Sequence, residues 1–140
     1  MAQGLGLGRV FNVVAAASGI HIPLTNAGAI SFVSFLDAGT QSFTLKESKD
    51  GASEQNLAVI KTLYKGPGVG GTWTKVTQAA AATFDLTTDA VNDCVAFTVR
   101  GEQLSDGFNC VELTASAGIL VAILHDLKVQ RDPALLASSV

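Results

Sequence analysis

Apolar and polar residues alternate along this chain with a period of two. Val95, Phe97 and Val99 are separated by Ala96 and Thr98, and Phe43 and Leu45 are separated by Thr44 and flanked by Ser42 and Lys46. Successive side chains of an extended strand point to opposite faces, so this spacing gives each segment a core face and an outer face. Helix has little support. The four alanines after Gln78 have good helix propensity, but the stretch is short and sits between Val76-Thr77 and Thr83-Phe84. A helix so brief is marginal, and the segment reads as a loop or a small-residue strand.

The pattern predicts strands near Val10–Ala15, Ile30–Leu36, Ser42–Glu47, Ala58–Tyr64, Thr72–Thr77, Thr83–Leu86, Cys94–Arg100, Cys110–Ala115 and Ile119–Gln130. Turn-forming clusters lie between them: Thr25–Gly28, Asp37–Thr40, Lys49–Gly51, Gly66–Gly71, Asp89–Asp93 and Ser105–Gly107. The expected fold is all-β, a β-sandwich or small barrel of about eight to nine short, mainly antiparallel strands. A chain of 140 residues is one domain. Residues 1–9 form an N-terminal arm, 10–130 the β core and 131–140 a C-terminal tail. Phe32, Phe35, Phe43, Phe84, Phe97, Val121 and Ile123 are the expected core.

Two segments allow finer expectations. Cys94–Ala115 reads as a hairpin turning through Gly101–Gly107, with Cys94 facing about Thr114 and Cys110 facing about Thr98. That register holds the two thiols apart, against a disulfide. In the last strand Ile119, Val121, Ile123, His125, Leu127 and Val129 share one face, and Leu120, Ala122, Leu124, Asp126, Lys128 and Gln130 the other. This reads as a central strand, buried on both faces at its start, and Pro133 follows it.

Charge bears on function. Only 15% of residues are charged and 48% are hydrophobic, with a net charge of −3. Apolar and small polar groups must therefore cover the surface, and such surfaces meet partners. The acidic balance argues against binding a phosphate backbone. No apolar run reaches the ~18 residues of a membrane span, since Gly118–Leu124 is stopped by His125 and Asp126. The N-terminus lacks the basic start and apolar core of a secretory signal, so folding in a cytoplasm is expected.

Catalytic and metal-binding patterns are thin. Gly4, Gly6 and Gly8 lack the preceding strand and following helix of a dinucleotide loop, and Gly66–Gly71 lacks the Lys-Ser/Thr ending of a P-loop. His125 adjoins Asp126, but neighbours on a strand face opposite ways and make a poor catalytic pair. No His or Cys spacing suits a metal, no serine sits in a nucleophile elbow, and no cofactor is expected. Tyr64 and Trp73 flank the glycine loop with Lys61, Lys65 and Lys75 nearby, the one basic-aromatic grouping in the chain. Without a wider basic surface they read as hairpin packing or as anchors for a protein partner.

The segments Gln55–Ile60, Gly71–Phe84, Glu102–Phe108 and Leu124–Pro133 resemble small structural proteins of tailed bacteriophages, and most of all head decoration (cement) proteins. The resemblance covers roughly Ile30 to Pro133. It implies a non-enzymatic virion protein that binds the outside of an assembled capsid at capsomer junctions. It also implies the major capsid protein as partner, a homotrimer, and no nucleic acid or membrane. A tail-tube or head–tail joining protein is the alternative, followed by a small carbohydrate-binding β-sandwich, and an enzyme comes last. On this reading Gly4, Gly6, Gly8 and Arg9 in one arm, and Leu135 and Leu136 in the other, reach neighbouring subunits, with Tyr64 and Trp73 as anchors.

Overall fold

A computed structural model describes residues 11–67, 70–88 and 92–128. The strands in chain order are β1 (Phe11–Ala15), β2 (Ile22–Pro23), β3 (Ala27–Phe35), β4 (Thr40–Lys49), β5 (Ala52–Asn56), β6 (Ile60–Gly66), β7 (Thr74–Ala81), β8 (Thr83–Thr87), β9 (Cys94–Arg100), β10 (Cys110–Ala115) and β11 (Ile119–Leu127). A single 3₁₀ turn, Gly101–Gln103, follows β9. The strands form two antiparallel sheets that pack as a sandwich. The six-stranded sheet has the order β1-β11-β3-β9-β6-β7; the five-stranded sheet runs β2-β10-β4-β5, with β8 also paired to β4. One edge of β4 is shared end to end, β8 taking Thr40–Thr44 and β5 taking Lys46–Lys49.

Only β4–β5 and β6–β7 are hairpins within a sheet; every other connection carries the chain across the sandwich. Non-local pairing of this kind buries one face of each strand against the opposite sheet. Ile30, Phe32, Val95, Phe97, Ala122 and Leu124 come inward from the larger sheet. Phe43, Leu45, Phe84, Leu86, Val111 and Leu113 meet them from the smaller one. The expected all-β sandwich is what forms, and Gln78–Ala81 belongs to strand β7.

Several expectations are corrected. Cys94 and Cys110 do not share a hairpin: β9 pairs with β3 and β6, and β10 pairs with β2 and β4 in the other sheet. The connection through the 3₁₀ turn crosses between sheets instead of reversing within one. Both thiols are buried, and the Cys94 thiol donates to the Gly66 carbonyl at 3.4 Å. Phe35 is exposed, because it lies three residues from buried Phe32 and a strand turns such a pair to opposite faces. Val121 and Ile123 also lie on the outer side of β11, whose core residues are Ala122 and Leu124. The start of β11 is open on that side, with Ile119 68% exposed.

The turn entering β11 shows how tightly the sheets are joined. Ser34 and Gln41 are buried polar residues, and the Ser34 hydroxyl donates to Gln41 Oε1 at 3.0 Å. The Gln41 amide in turn donates to the Ala117 carbonyl. Gly118 has φ +82°, and a Cβ there would stand 2.5 Å from the Phe35 carbonyl oxygen and 2.7 Å from Gln41 Nε2. Gly118→Ala is expected to cost about 2–4 kcal/mol, combining left-handed backbone strain with a clash that the buried network resists. Urea unfolding measures it. Gly39→Ala is the control, since φ there is +95° with nothing within 4 Å of the added Cβ; its cost should stay near ~1 kcal/mol.

Candidate functional site

The outer face of the six-stranded sheet is built from register alone. Val13 pairs with Ile123, which pairs with Ser31. The next row runs Ala15, Val121, Val33, Ala96, Tyr64 and Lys75, and a further row brings Ile119 beside Phe35. Trp73 joins this face by lying over Gly66, where an added Cβ would meet its ring at 3.3 Å. All five large hydrophobic side chains exposed among the described residues, Val13, Phe35, Tyr64, Trp73 and Ile119, are on or beside this one face. Lys75 is the charged group of these rows, at the β7 edge. A groove of about 610 Å³ lies at one end, lined by Phe35, Pro67 and Ile119 with Asp37 and Asp93 at its rim.

Tyr64 and Trp73, singled out from the sequence, therefore share a surface. The lysines expected around them do not all follow. Lys65 points away, its ammonium donating to the Asp85 carbonyl at 3.0 Å, while Lys75 stands opposite Tyr64. Gly4, Gly6, Gly8, Arg9, Leu135 and Leu136 lie outside the described residues. The described strands nearest them in sequence are neighbours: Phe11, at the start of β1, pairs with His125 near the end of β11.

His125 and Asp126 behave differently from the expectation for strand neighbours. Asp126 has φ +53°, which breaks the alternation and sets its carboxylate 3.5 Å from His125 Nδ1. His125 Nε2 is 2.8 Å from Ser31 Oγ, and Ser31 Oγ is 2.7 Å from Thr98 Oγ1. Serine, imidazole and carboxylate are thus in nucleophile–base order. What acyl transfer needs besides is a pair of free donors for an oxyanion. Ser31 sits mid-strand with β11 on one side and β9 on the other, so the amides around it belong to the sheet ladder. Thr98, Ser31 and His125 form a hydrogen-bonded row on an open sheet face, with Asp126 beside the imidazole.

A second cluster lies on the outer side of the five-stranded sheet, where the segment before β2 covers β10. The Gly19 amide donates to Glu112 Oε1 at 3.1 Å, and Glu112 is buried although it faces away from the core. His21 Nδ1 stands 3.4 Å from Glu112 Oε2 and 3.1 Å from Ser48 Oγ, and His21 Nε2 is 3.7 Å from Glu54 Oε2. Lys46 Nζ donates to Glu54 Oε1 at 2.6 Å. That hydrogen bond, helped by the nearby Glu112 and His21, holds the Glu54 carboxyl below the ordinary range and raises the Lys46 ammonium above its own. Sequence spacing could not reveal this cluster, since its members come from separate stretches that meet only when β2, β4, β5 and β10 align.

Comparison with protein families, curated proteins and solved structures finds no match. The two surfaces are therefore read from their own chemistry. Among the described residues no helix is long and apolar enough to cross a membrane.

Proposed function

We propose that this chain is a non-enzymatic virion structural protein that binds the outer surface of an assembled phage capsid at capsomer junctions and stabilises it. The observation that carries the reading is the gathering of the exposed large hydrophobics among the described residues on or beside the outer face of one sheet. An antiparallel sheet in a monomer commonly turns a polar face to water. Here the solvent side carries an apolar patch bordered by Lys75, Arg100 and the His125–Asp126 pair, an apolar centre with a polar rim such as a protein partner meets. The major capsid protein is that partner, and a homotrimer is the favoured form on the shell. The arms expected over residues 1–9 and 131–140 lie outside the described residues, and the strands nearest them in sequence, β1 and β11, are neighbours in this sheet. Several weak patches acting together raise effective concentration, as a repeated shell requires.

The test is co-sedimentation with undecorated shells of the virus that encodes the protein. Saturable binding at a fixed number of copies per capsomer is expected. The double variant Val13→Lys/Ile119→Lys should fold normally by circular dichroism, because both positions are open, yet bind at least about tenfold more weakly. Binding unchanged in that variant would remove this face as the contact. Rings or tubes formed by the protein alone, with no shell binding, would move the reading to a tail-tube role.

A further inference from the structure

The strongest unexplained chemistry lies away from the apolar face, in the cluster of His21, Glu54 and Glu112. One ligand atom from each of these residues lies within 4.8 Å of the others. Both carboxylates divide their oxygens. Glu54 gives Oε1 to Lys46 and keeps Oε2 toward His21 Nε2, while Glu112 gives Oε1 to the Gly19 amide and keeps Oε2 toward His21 Nδ1. Glu112 Oε2 is buried and receives no hydrogen bond, and the Glu112 side chain is only 2% exposed. A buried acceptor left without a donor costs about 1–3 kcal/mol, more when charged. Its position, aimed at an imidazole and a second carboxylate, gives that cost a use.

We propose that His21, Glu54 and Glu112 form a binding site for a divalent cation of the Zn²⁺ type. One imidazole nitrogen and two carboxylate oxygens are the donors such an ion takes, and a fourth position remains for water. Ligand atoms around a tetrahedral ion at ~2.0–2.2 Å stand roughly 3.3–3.6 Å apart. The 3.4 Å gap runs from His21 Nδ1 to Glu112 and the 3.7 Å gap from Nε2 to Glu54; an ion takes one of the two nitrogens, so the side chains must draw together around it from the 4.8 Å within which the three ligand atoms lie. Ser48 Oγ, 3.1 Å from His21 Nδ1, is a partner of the kind that fixes a ligating imidazole. Lys46 already neutralises part of the charge and competes for Glu54, which sets a moderate affinity. The bound ion clamps the segment before β2 onto β10 and β5.

Isothermal titration of the full-length protein with zinc chloride, in a non-chelating buffer near neutral pH, tests the proposal. One ion per chain is expected, together with a melting temperature that rises as zinc is added. Glu112→Gln keeps the shape of the buried side chain but loses its charge, and it should weaken binding at least about tenfold. Glu54→Gln lies at an open edge, where folding is not at stake, and should do the same. Absence of stoichiometric binding overturns the proposal. So does binding that Glu54→Gln and Glu112→Gln leave unchanged, since the ion would then sit elsewhere, on the thiols for instance.

Discussion

Phe97→Ala is expected to lower the unfolding free energy by about 3–5 kcal/mol. Phe97 is buried in β9 and stacks on Phe32 of the same sheet, with centroids 5.4 Å apart and planes at 29°. Its edge meets Phe84 of the opposite sheet at 5.2 Å and 80°, and Phe84 stacks on Phe43 at 4.4 Å. Four rings thus run from one sheet to the other, with Phe97 and Phe84 as the crossing. Truncating Phe97 removes its own buried surface and takes the edge contact from Phe84. Against a total stability of about 5–15 kcal/mol, that is a large share. Phe35→Ala is the matched control, with the same chemistry on the open face; it should cost about 1 kcal/mol or less. Urea unfolding of both variants decides. Equal losses would mean that the two faces of the larger sheet have been exchanged.

The contrast between Phe97 and Phe35 shows where sequence reading succeeds and where it stops. Period two fixes which residues share a face but not which face is inside. Along β9 the answer is plain, because Val95, Phe97 and Val99 alternate with Ala96, Thr98 and Arg100. In β11 both sets begin apolar, Leu120, Ala122 and Leu124 against Ile119, Val121 and Ile123, because the outer face is apolar too. The ambiguity and the proposed contact surface have one cause. Strand β5 went unseen for the opposite reason: Ala52–Asn56 is polar and exposed throughout, with no alternation to find. Its signal was Asp50-Gly51, both with positive φ, a pair suited to a two-residue hairpin turn. The exchange of strands between sheets had no local signal at all. Neither did the meeting of His21, Glu54 and Glu112, which depends on that exchange.

Glu47→Ala is expected to cost a further large amount, again about 3–5 kcal/mol. Glu47 lies on β4 opposite Val111 and is almost wholly buried, which is costly for a carboxyl group unless it is fully hydrogen-bonded. Here it is: Gln55 Nε2 donates to Oε1 at 2.6 Å and the Ser105 amide donates to Oε2 at 2.8 Å. The second bond fastens the turn after Gly101–Gln103, the link that carries the chain from β9 to β10, onto the smaller sheet. Alanine removes the aliphatic stem, worth roughly 0.8 kcal/mol per methylene, and two hydrogen bonds to a buried carboxylate, at about 1.5–3 kcal/mol each. Glu47→Gln keeps the stem and one acceptor while its amide opposes one of the two donors, so about 1–2 kcal/mol is expected. Hydrogen exchange gives an independent reading, because the Ser105 amide should lose protection in Glu47→Ala before the β9 amides do. If glutamine costs as much as alanine, the negative charge rather than the hydrogen-bonded tether is what the fold requires at this position. If neither variant loses stability, the crossing between the sheets is held by apolar packing alone, and Glu47 has no part in directing β10 away from β9.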